Sequence, residues 1–361
     1  MQLPVAPPIR PMLAKRVSAV PEGEGWLFEP KWDGFRTLIF RDSGEVLIQS
    51  RDEKSLNRYF PELIAPLKSV LPDRYVCDGE IVIVQNDSLD FDALQLRIHP
   101  AASRVQLLSQ QIPASVVFFD ILCEGDRDLR NTPFHVRRKE LERILASVPP
   151  PLHLTPATTD SSIAADWFRR FEGAGLDGVM AKPIAGVYES DKRVMLKVKH
   201  ERECDCVVAG FRWHKKGNQT MVGSLLLGLF NDSGVLQHVG VCASFSETKR
   251  QELVETLAPY RENALDNHPW KAWADSASIE NGSHRMPGGQ SRWSQGKDLS
   301  WEPLRAELVV EVAYDHLQGD RFRHTAQFRR WRVDKNPRDC TYAQLEVVPP
   351  EELASVFRSG R

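Results

Sequence analysis

Glu29-Pro30-Lys31-Trp32-Asp33-Gly34-Phe35-Arg36, EPKWDGFR, is the stretch on which the reading of this chain turns. A Lys-x-Asp-Gly tetrapeptide arises by chance in roughly one chain in twenty at average residue usage. Taken alone it is as well explained by a turn between strands that exposes a lysine. The rest of the chain changes the odds. Downstream stand Ser50-Arg51, then Asp78-Gly79-Glu80 entering an apolar strand, then Phe118-Phe119-Asp120 ending another. After these come Asp177-Gly178-Val179-Met180-Ala181-Lys182, Met195-Leu196-Lys197-Val198-Lys199 and, far along, Arg332-Val333-Asp334-Lys335.

The surroundings of these motifs indicate two domains. A chain of 361 residues with 42% apolar content exceeds one typical domain and can bury real cores. Up to about residue 202, short β-branched and aromatic runs alternate with helical stretches. TLIFRDSGEVLIQS (37–50) reads as two strands around a Ser-Gly turn, and PFHVRRKELERILASV (133–148) as a helix. That mixture predicts an α+β domain with antiparallel sheets over 1–202. From 203 to 361, CDCVVAGFRW, GSLLLGLFNDSGVLQHVGVCAS and AELVVEVAYDHL read as strands, with SETKRQELVETLAPY as one helix among them. Strands plus a single helix suit an all-β barrel of the OB type, a common nucleic-acid platform. Residues 262–302, rich in Gly, Ser, Asn and Trp, read as a long loop inserted in that barrel.

Composition excludes some classes and leaves others open. No apolar run approaches membrane-spanning length, and MQLPVAPPIRPMLAKR lacks the apolar core of a secretion signal, so a cytoplasmic protein is expected. Six cysteines, with Cys77 and Cys123 inside apolar runs, fit reduced thiols acting as small hydrophobes. His200, Cys204, Cys206 and His214 form a tempting metal set, but their spacing fits no common zinc pattern and a barrel strand explains them better. The formal net charge of −2 speaks weakly against a nucleic-acid partner. Its distribution does not. Arg321, Arg323, Arg329, Arg330, Arg332, Lys335 and Arg338 are set against a single acid, Asp334, and a local basic stripe can bind phosphates on a slightly acidic protein.

The order and spacing of the motifs resemble those of the covalent nucleotidyltransferases, the superfamily of DNA ligases, RNA ligases and mRNA capping enzymes. The resemblance runs almost end to end. PPIRPMLAKR, RMPGGQSRWSQGKDLSW and VAYDHLQGDRFRHTAQFRRWR are most similar to the stand-alone bacterial ATP-dependent DNA ligases called ligase C. It implies a nucleotidyltransferase domain followed by an OB domain. It also implies a lysine that attacks the α-phosphate of ATP, giving lysyl–AMP and pyrophosphate, then a 5′-adenylated DNA at the nick.

On that resemblance Lys31 is the nucleophile. An ordinary lysine is protonated at neutral pH and cannot attack. Lys197, Lys199 and a bound Mg²⁺ or Mn²⁺ are therefore expected to depress its pKa and to stabilise charge on the phosphoryl oxygens. Alternation along a strand puts Lys197 and Lys199 on one face. The resemblance further implies that Glu29 lies near the adenine amine, that Arg36 and Glu80 hold the ribose and that Phe119 stacks on the base. Phe118, facing the other way, would be core. Arg51 would contact the 5′-phosphate of nicked duplex DNA. Asp177 and Glu80 would bind metal, although many relatives carry Glu at the position of Asp177, and a shorter carboxylate suits Mg²⁺ through water. Arg332 and Lys335 would orient pyrophosphate when the second domain closes over the first.

The absence of a four-cysteine zinc module and of a domain ahead of Lys31 points away from the NAD⁺-dependent ligases. Rival readings are an RNA ligase, a capping guanylyltransferase using GTP, and a non-catalytic OB module that binds nucleic acid. A monomeric, nucleoid-associated bacterial repair enzyme, working with other DNA-repair proteins, is the setting expected by family analogy.

Overall fold

The computed structural model describes residues 1–216, 219–271, 300–345 and 348–358. The chain divides into two compact units, Met1–Lys199 together with Val348–Arg361, and His200–Val347.

The first unit is built on two sheets. The larger has the strand order Leu152–Leu154, Ser115–Glu124, Arg74–Val82, Phe35–Asp42, Glu45–Ser50, and the smaller has Leu13–Val17, Arg193–Val198, Val179–Pro183, Trp26–Pro30. Pairing is antiparallel except where Leu13–Val17 meets Arg193–Val198 and where Leu152–Leu154 meets Ser115–Glu124. The Ser-Gly turn of TLIFRDSGEVLIQS is real: Ser43 takes φ 53° and the hairpin closes through Asp42 opposite Glu45. PFHVRRKELERILASV forms the helix Phe134–Leu145, which turns Phe134, Leu141 and Leu145 inward. Arg137 on that helix is fully buried, and its guanidinium donates to both oxygens of Asp120 at 2.8 and 2.9 Å. That pair ties the helix to the strand that carries Phe118 and Phe119.

Two glycines in the motifs answer to steric need. A Cβ on Gly34 would stand 2.1 Å from the Ile81 carbonyl, and one on Gly178 would stand 2.0 Å from that of Val198. Gly178 also adopts φ +127°, a conformation that L side chains rarely adopt. Both glycines let strands approach closely, and so bring Lys31, Asp177 and the 197–199 segment together.

The second unit is a five-stranded antiparallel sheet in the order Leu236–Cys242, Val222–Phe230, Arg202–Trp213, Glu302–Tyr314, Gln327–Trp331. A bridge between Cys242 and Ala326 joins its outer strands, with Ala326 N donating to Val241 O at 2.9 Å. This is the OB-like barrel expected from the sequence. The helix Glu247–Leu257 is capped by Ser246, whose hydroxyl accepts from Lys249 N. Of the loop expected over 262–302, residues 272–299 lie outside the described residues, as does most of RMPGGQSRWSQGKDLSW. Its start is not mere loop: Trp270 is fully buried in the barrel core and donates through Nε1 to Leu236 O.

The expected division at 202/203 with everything onward in the barrel needs correcting at the carboxyl end. Leu353 and Val356 are buried with Phe28, Trp32, Val82 and Val117 of the first unit, so the chain leaves that unit and returns to it. The reason is apolar burial. A short helix, Leu353–Arg358, carries these two side chains, which find their cover on the first unit. Among the described residues no helix is long and apolar enough to cross a membrane.

Candidate active site

Lys31 lies just past the strand Trp26–Pro30 and is held on both sides of its peptide. Its N–H donates to Gly178 O and its carbonyl accepts from Asp177 N, each at 2.9 Å. The side chain turns to the same partner: Nζ lies 2.5 Å from Asp177 Oδ2. Lys199 Nζ lies 3.2 Å from that same oxygen. Val198, the last residue of its strand, is buried, while Lys197 before it and Lys199 just past the strand are half-buried.

The electrostatics differ from expectation. Burial pulls the Lys31 amine down, but Asp177, with Glu80 and Asp33 behind it, outweighs burial, and the net shift is upward. The amine shifted downward is that of Lys197, by burial first and then by Lys31 and Lys199. The expectation that Lys197 and Lys199 depress Lys31 overlooked where the nearest carboxylate lies. At 2.5 Å, Asp177 decides the sign.

On the larger sheet, Arg36 stands opposite Glu80 in register. The Arg36 guanidinium is clamped by Asp78, Nε to Oδ1 and Nη2 to Oδ2, both 2.6 Å, and the Tyr188 hydroxyl donates to Asp78 at 2.7 Å. Arg36 also lies 4.6 Å from the centroid of the Phe119 ring, and Lys182 Nζ 4.5 Å from it. The pairing of strands shifts between Asp78 and Gly79, so Phe119 falls out of register while Phe118 pairs with Gly79. Phe118 enters the hydrophobic core; Phe119 faces the cations. Glu29 is buried with both oxygens engaged, one by Arg138 at 3.1 Å and one by Lys182 at 2.6 Å.

Glu80 holds its proton far above the ordinary carboxylate range. Burial, before any other influence, pushes it up to about 8, although Arg36 and Lys31 pull the other way. Lys182, Arg138, Asp78 and Tyr188 belong to the site without having been expected there. Lys182 and Asp78 lie inside the sequence motifs, which is the signal that could have found them. Tyr188 and Arg138 carry no local signal.

Arg51 is exposed just past the strand Glu45–Ser50, at a polar pocket shared with Arg10, Asp52, Glu53 and Asp191. Arg10 there is held by Glu53 at 2.6 Å and Asp191 at 3.0 Å. In the second unit, Arg332 and Lys335 share one carboxylate: Asp205 lies 3.1 Å from Arg332 and 3.6 Å from Lys335. The basic stripe is less free than its sequence suggests. Arg329 pairs with Glu201 and Glu203, Arg330 with Glu311, and Arg332 with Asp205, Glu311 and Asp334. Cys204 and Cys206 are buried in the barrel core, Sγ to Sγ 3.7 Å.

Family comparison agrees with this layout. The model of the ATP dependent DNA ligase domain matches residues 11–199, and that of the ATP dependent DNA ligase C terminal region matches residues 218–335. The chain is 54% identical over 349 residues to DNA ligase C2 of Mycolicibacterium smegmatis, covering 97% of each chain. It is 52% identical over 352 residues to DNA ligase C of Mycobacterium tuberculosis, covering 96% of each. A solved Lig E DNA ligase shares the fold, with a TM-score of 0.54 at 17% identity over 90% of this chain and 99% of that one.

The raised Glu80 predicts a pH-dependent stability. Folded protein keeps this proton up to about 8, while the unfolded chain releases it in the ordinary carboxylate range. The folded state therefore loses ground as pH climbs from that range toward 8. Glu80→Gln has no proton to lose. In chelator-containing buffer without nucleotide, its Tm should rise relative to the parent from pH 5 to 8 and then level off. A constant difference across that window would contradict the assignment.

Proposed function

This chain belongs to the ATP-dependent DNA ligase family, and we propose that Lys31 is the nucleophile through which it seals nicks in duplex DNA. Its activity is ATP-dependent strand joining. In the first step the neutral Lys31 amine attacks the α-phosphorus of ATP, a P–N bond forms and the P–O bond to pyrophosphate breaks. In the second, a 5′-phosphate oxygen at the nick attacks that phosphorus, and Lys31 leaves and regains a proton. In the third, the 3′-hydroxyl attacks the activated 5′-phosphate and AMP departs.

The observation that carries this reading is the contact of Lys31 and Lys199 with the single carboxylate of Asp177. Asp177 is the group within reach of the proton that Lys31 must shed. With Asp177 engaged elsewhere, burial and the neighbouring Lys197 favour the neutral amine. Lys197 and Lys199 then face the negative charge that builds on the phosphoryl oxygens.

The donor set also fits a hard divalent cation. Asp177 and Glu80 both act on Lys31, and an ion that displaced the Glu80 proton would find a second carboxylate beside that of Asp177. Among the described residues no cluster of three His, Cys, Asp or Glu side chains could enclose an ion. Mg²⁺ or Mn²⁺ held there would have to take its other ligands from phosphate and water. Bound there, the ion supplies positive charge against the phosphate oxygens.

Phe119 is proposed as the platform for adenine, with Lys182 and Glu29 beside it, and Arg36 and Glu80 toward the ribose. Arg51 is proposed to meet the 5′-phosphate at the nick. Work as a monomer in bacterial DNA repair belongs to the same proposal, and a stable dimer in sedimentation would argue against the first part of it.

Lys31→Ala should gain no AMP when incubated with ATP and Mg²⁺ and weighed as intact protein, and should not seal a nick. One added AMP would assign the nucleophile elsewhere. With GTP in place of ATP, the parent should gain no nucleotide.

Phe119→Ala should raise the ATP KM by tenfold or so, since base–aromatic stacking is worth about 1–3 kcal/mol. A larger effect from Phe118→Ala, in protein that still folds, would put the base on the other ring.

Arg332→Ala with Lys335→Ala should cripple self-adenylation and spare the sealing of a nick that already bears a 5′-adenylate. Arg51→Ala should do the reverse. Equal losses in both assays would refute pyrophosphate handling by Arg332 and Lys335.

A further inference from the structure

Next to Lys31 stands Trp32, whose side chain runs not into the site but toward the returning end of the chain. The indole is 5% exposed and donates through Nε1 to Thr155 Oγ1 at 2.8 Å. The ring of Phe357 stacks on it, centroids 5.2 Å apart and planes 30° from parallel, and the same ring lies 4.9 Å from that of His153. Among the described residues the Trp32 peptide makes no backbone hydrogen bond to another peptide, whereas Lys31 makes two. The Trp32 side chain is therefore one of the holds on the chain just after the nucleophile, between the bonded Lys31 peptide and Phe35 paired with Ile81.

The segment that brings Phe357 there is seated at several points. Gly173 admits it, because a Cβ at that position would stand 2.1 Å from Pro349 O. Glu351 pairs with Arg170 at 2.8 Å, and Leu353 N donates to Asp87 O at 2.8 Å. Leu353 and Val356 are buried in the cluster that contains Phe28, Val82 and Val117. Phe28 sits on the strand that leads into Lys31, and Val82 and Val117 on the strands that carry Glu80 and Phe119. A surface pocket of about 190 Å³ opens beside Trp32, His153 and Phe357. Losing the Phe357 ring would widen that pocket and open one face of the indole to water.

We propose that the segment Glu351–Arg358 is a strap that positions the nucleophile, Phe357 acting through Trp32 to hold the turn from Lys31 to Gly34. Phe357 is a positioning residue: it touches no reacting atom. The proposal rests on the reading of Lys31 as the nucleophile. It gives the carboxyl-terminal residues a task in self-adenylation, the step in which Lys31 must meet phosphorus in line, and where a small misplacement costs rate steeply. The strap matters less once AMP has passed to DNA, because Lys31 no longer attacks.

The experiment uses the full chain. Phe357→Ala, Phe357→Leu and Phe357→Tyr are compared with the parent and with Lys31→Ala, below the melting temperature of each. Self-adenylation is measured at saturating ATP and across an ATP series, and sealing is measured separately on pre-adenylated nicks. Phe357→Ala should slow self-adenylation roughly tenfold at saturating ATP with ATP KM little changed. Phe357→Leu should be intermediate, Phe357→Tyr near the parent, and sealing of pre-adenylated nicks should stay within about twofold. If Phe357→Ala does not fold, the ranking of Leu and Tyr decides alone. Equal loss in both steps, or no loss at saturating ATP, overturns the strap while Lys31→Ala remains inert. An AMP adduct on Lys31→Ala would instead remove the reading of the nucleophile on which the proposal stands.

Discussion

Two ammonium groups share one buried carboxylate in the first unit, and much of the site is arranged around that contact. Asp177 is 4% exposed, with Lys31 at 2.5 Å and Lys199 at 3.2 Å. A charge buried to this degree is tolerable only when paired. The pairing in turn requires three separate stretches of chain to converge. The backbone makes this possible: Lys31 and the Asp177-Gly178 peptides are bonded to each other, and Gly178 yields the space that the Val198 carbonyl needs. The contact also sets the chemical problem. Asp177 favours the protonated lysine, so the reaction proposed for Lys31 would require that carboxylate to be engaged elsewhere.

Around this pair the site is lined by charges that are held rather than free. Arg36 is gripped by Asp78, which also accepts from Tyr188, and Glu29 is taken by Arg138 and Lys182. Deeper still, Asp120 and Arg137 are both buried. Networks of this kind contribute little net stability, because desolvation offsets most of the attraction. What they fix is geometry. Phe119 is presented between Arg36 and Lys182 in a strand whose pairing slips close by, while its neighbour Phe118 packs in the core. The exception is Glu80, where burial wins over two nearby cations and keeps the proton on.

The second unit shows a related arrangement on its surface. Arg329, Arg330, Arg332 and Lys335 are each matched by acids from outside the stripe, Glu201 and Glu203 for the first, Glu311 for the second, and Asp205 for the last two. The pairs of Arg329 and Arg330 lie toward solvent and are worth little each, whereas Asp205, which holds Arg332 and Lys335, is buried. A phosphate backbone arriving there would compete with carboxylates rather than fill an empty groove, so the count of cations overstates the attraction the stripe offers.

The sequence by itself determined the class of chemistry, the fold class of two domains and a handful of their elements. Motif order needs no coordinates, and a Ser-Gly turn or a Ser-capped helix is set by interactions within a few residues. Gly34 and Gly178 were legible as motif positions, though the carbonyls that demand them were not. Tertiary structure alone decided which charges meet. The sign of the shift on Lys31, the capture of Glu29 by Arg138 across 109 residues, and the matching of the stripe by Glu201, Glu203 and Asp205 from far upstream depend on distances between segments that no local pattern encodes. The same holds for the carboxyl terminus. Leu353, Val356 and Phe357 look like an ordinary amphipathic end of a barrel domain, and only packing against Trp32 and Phe28 assigns them to the other unit, because apolar side chains go to available cover rather than keep to chain order.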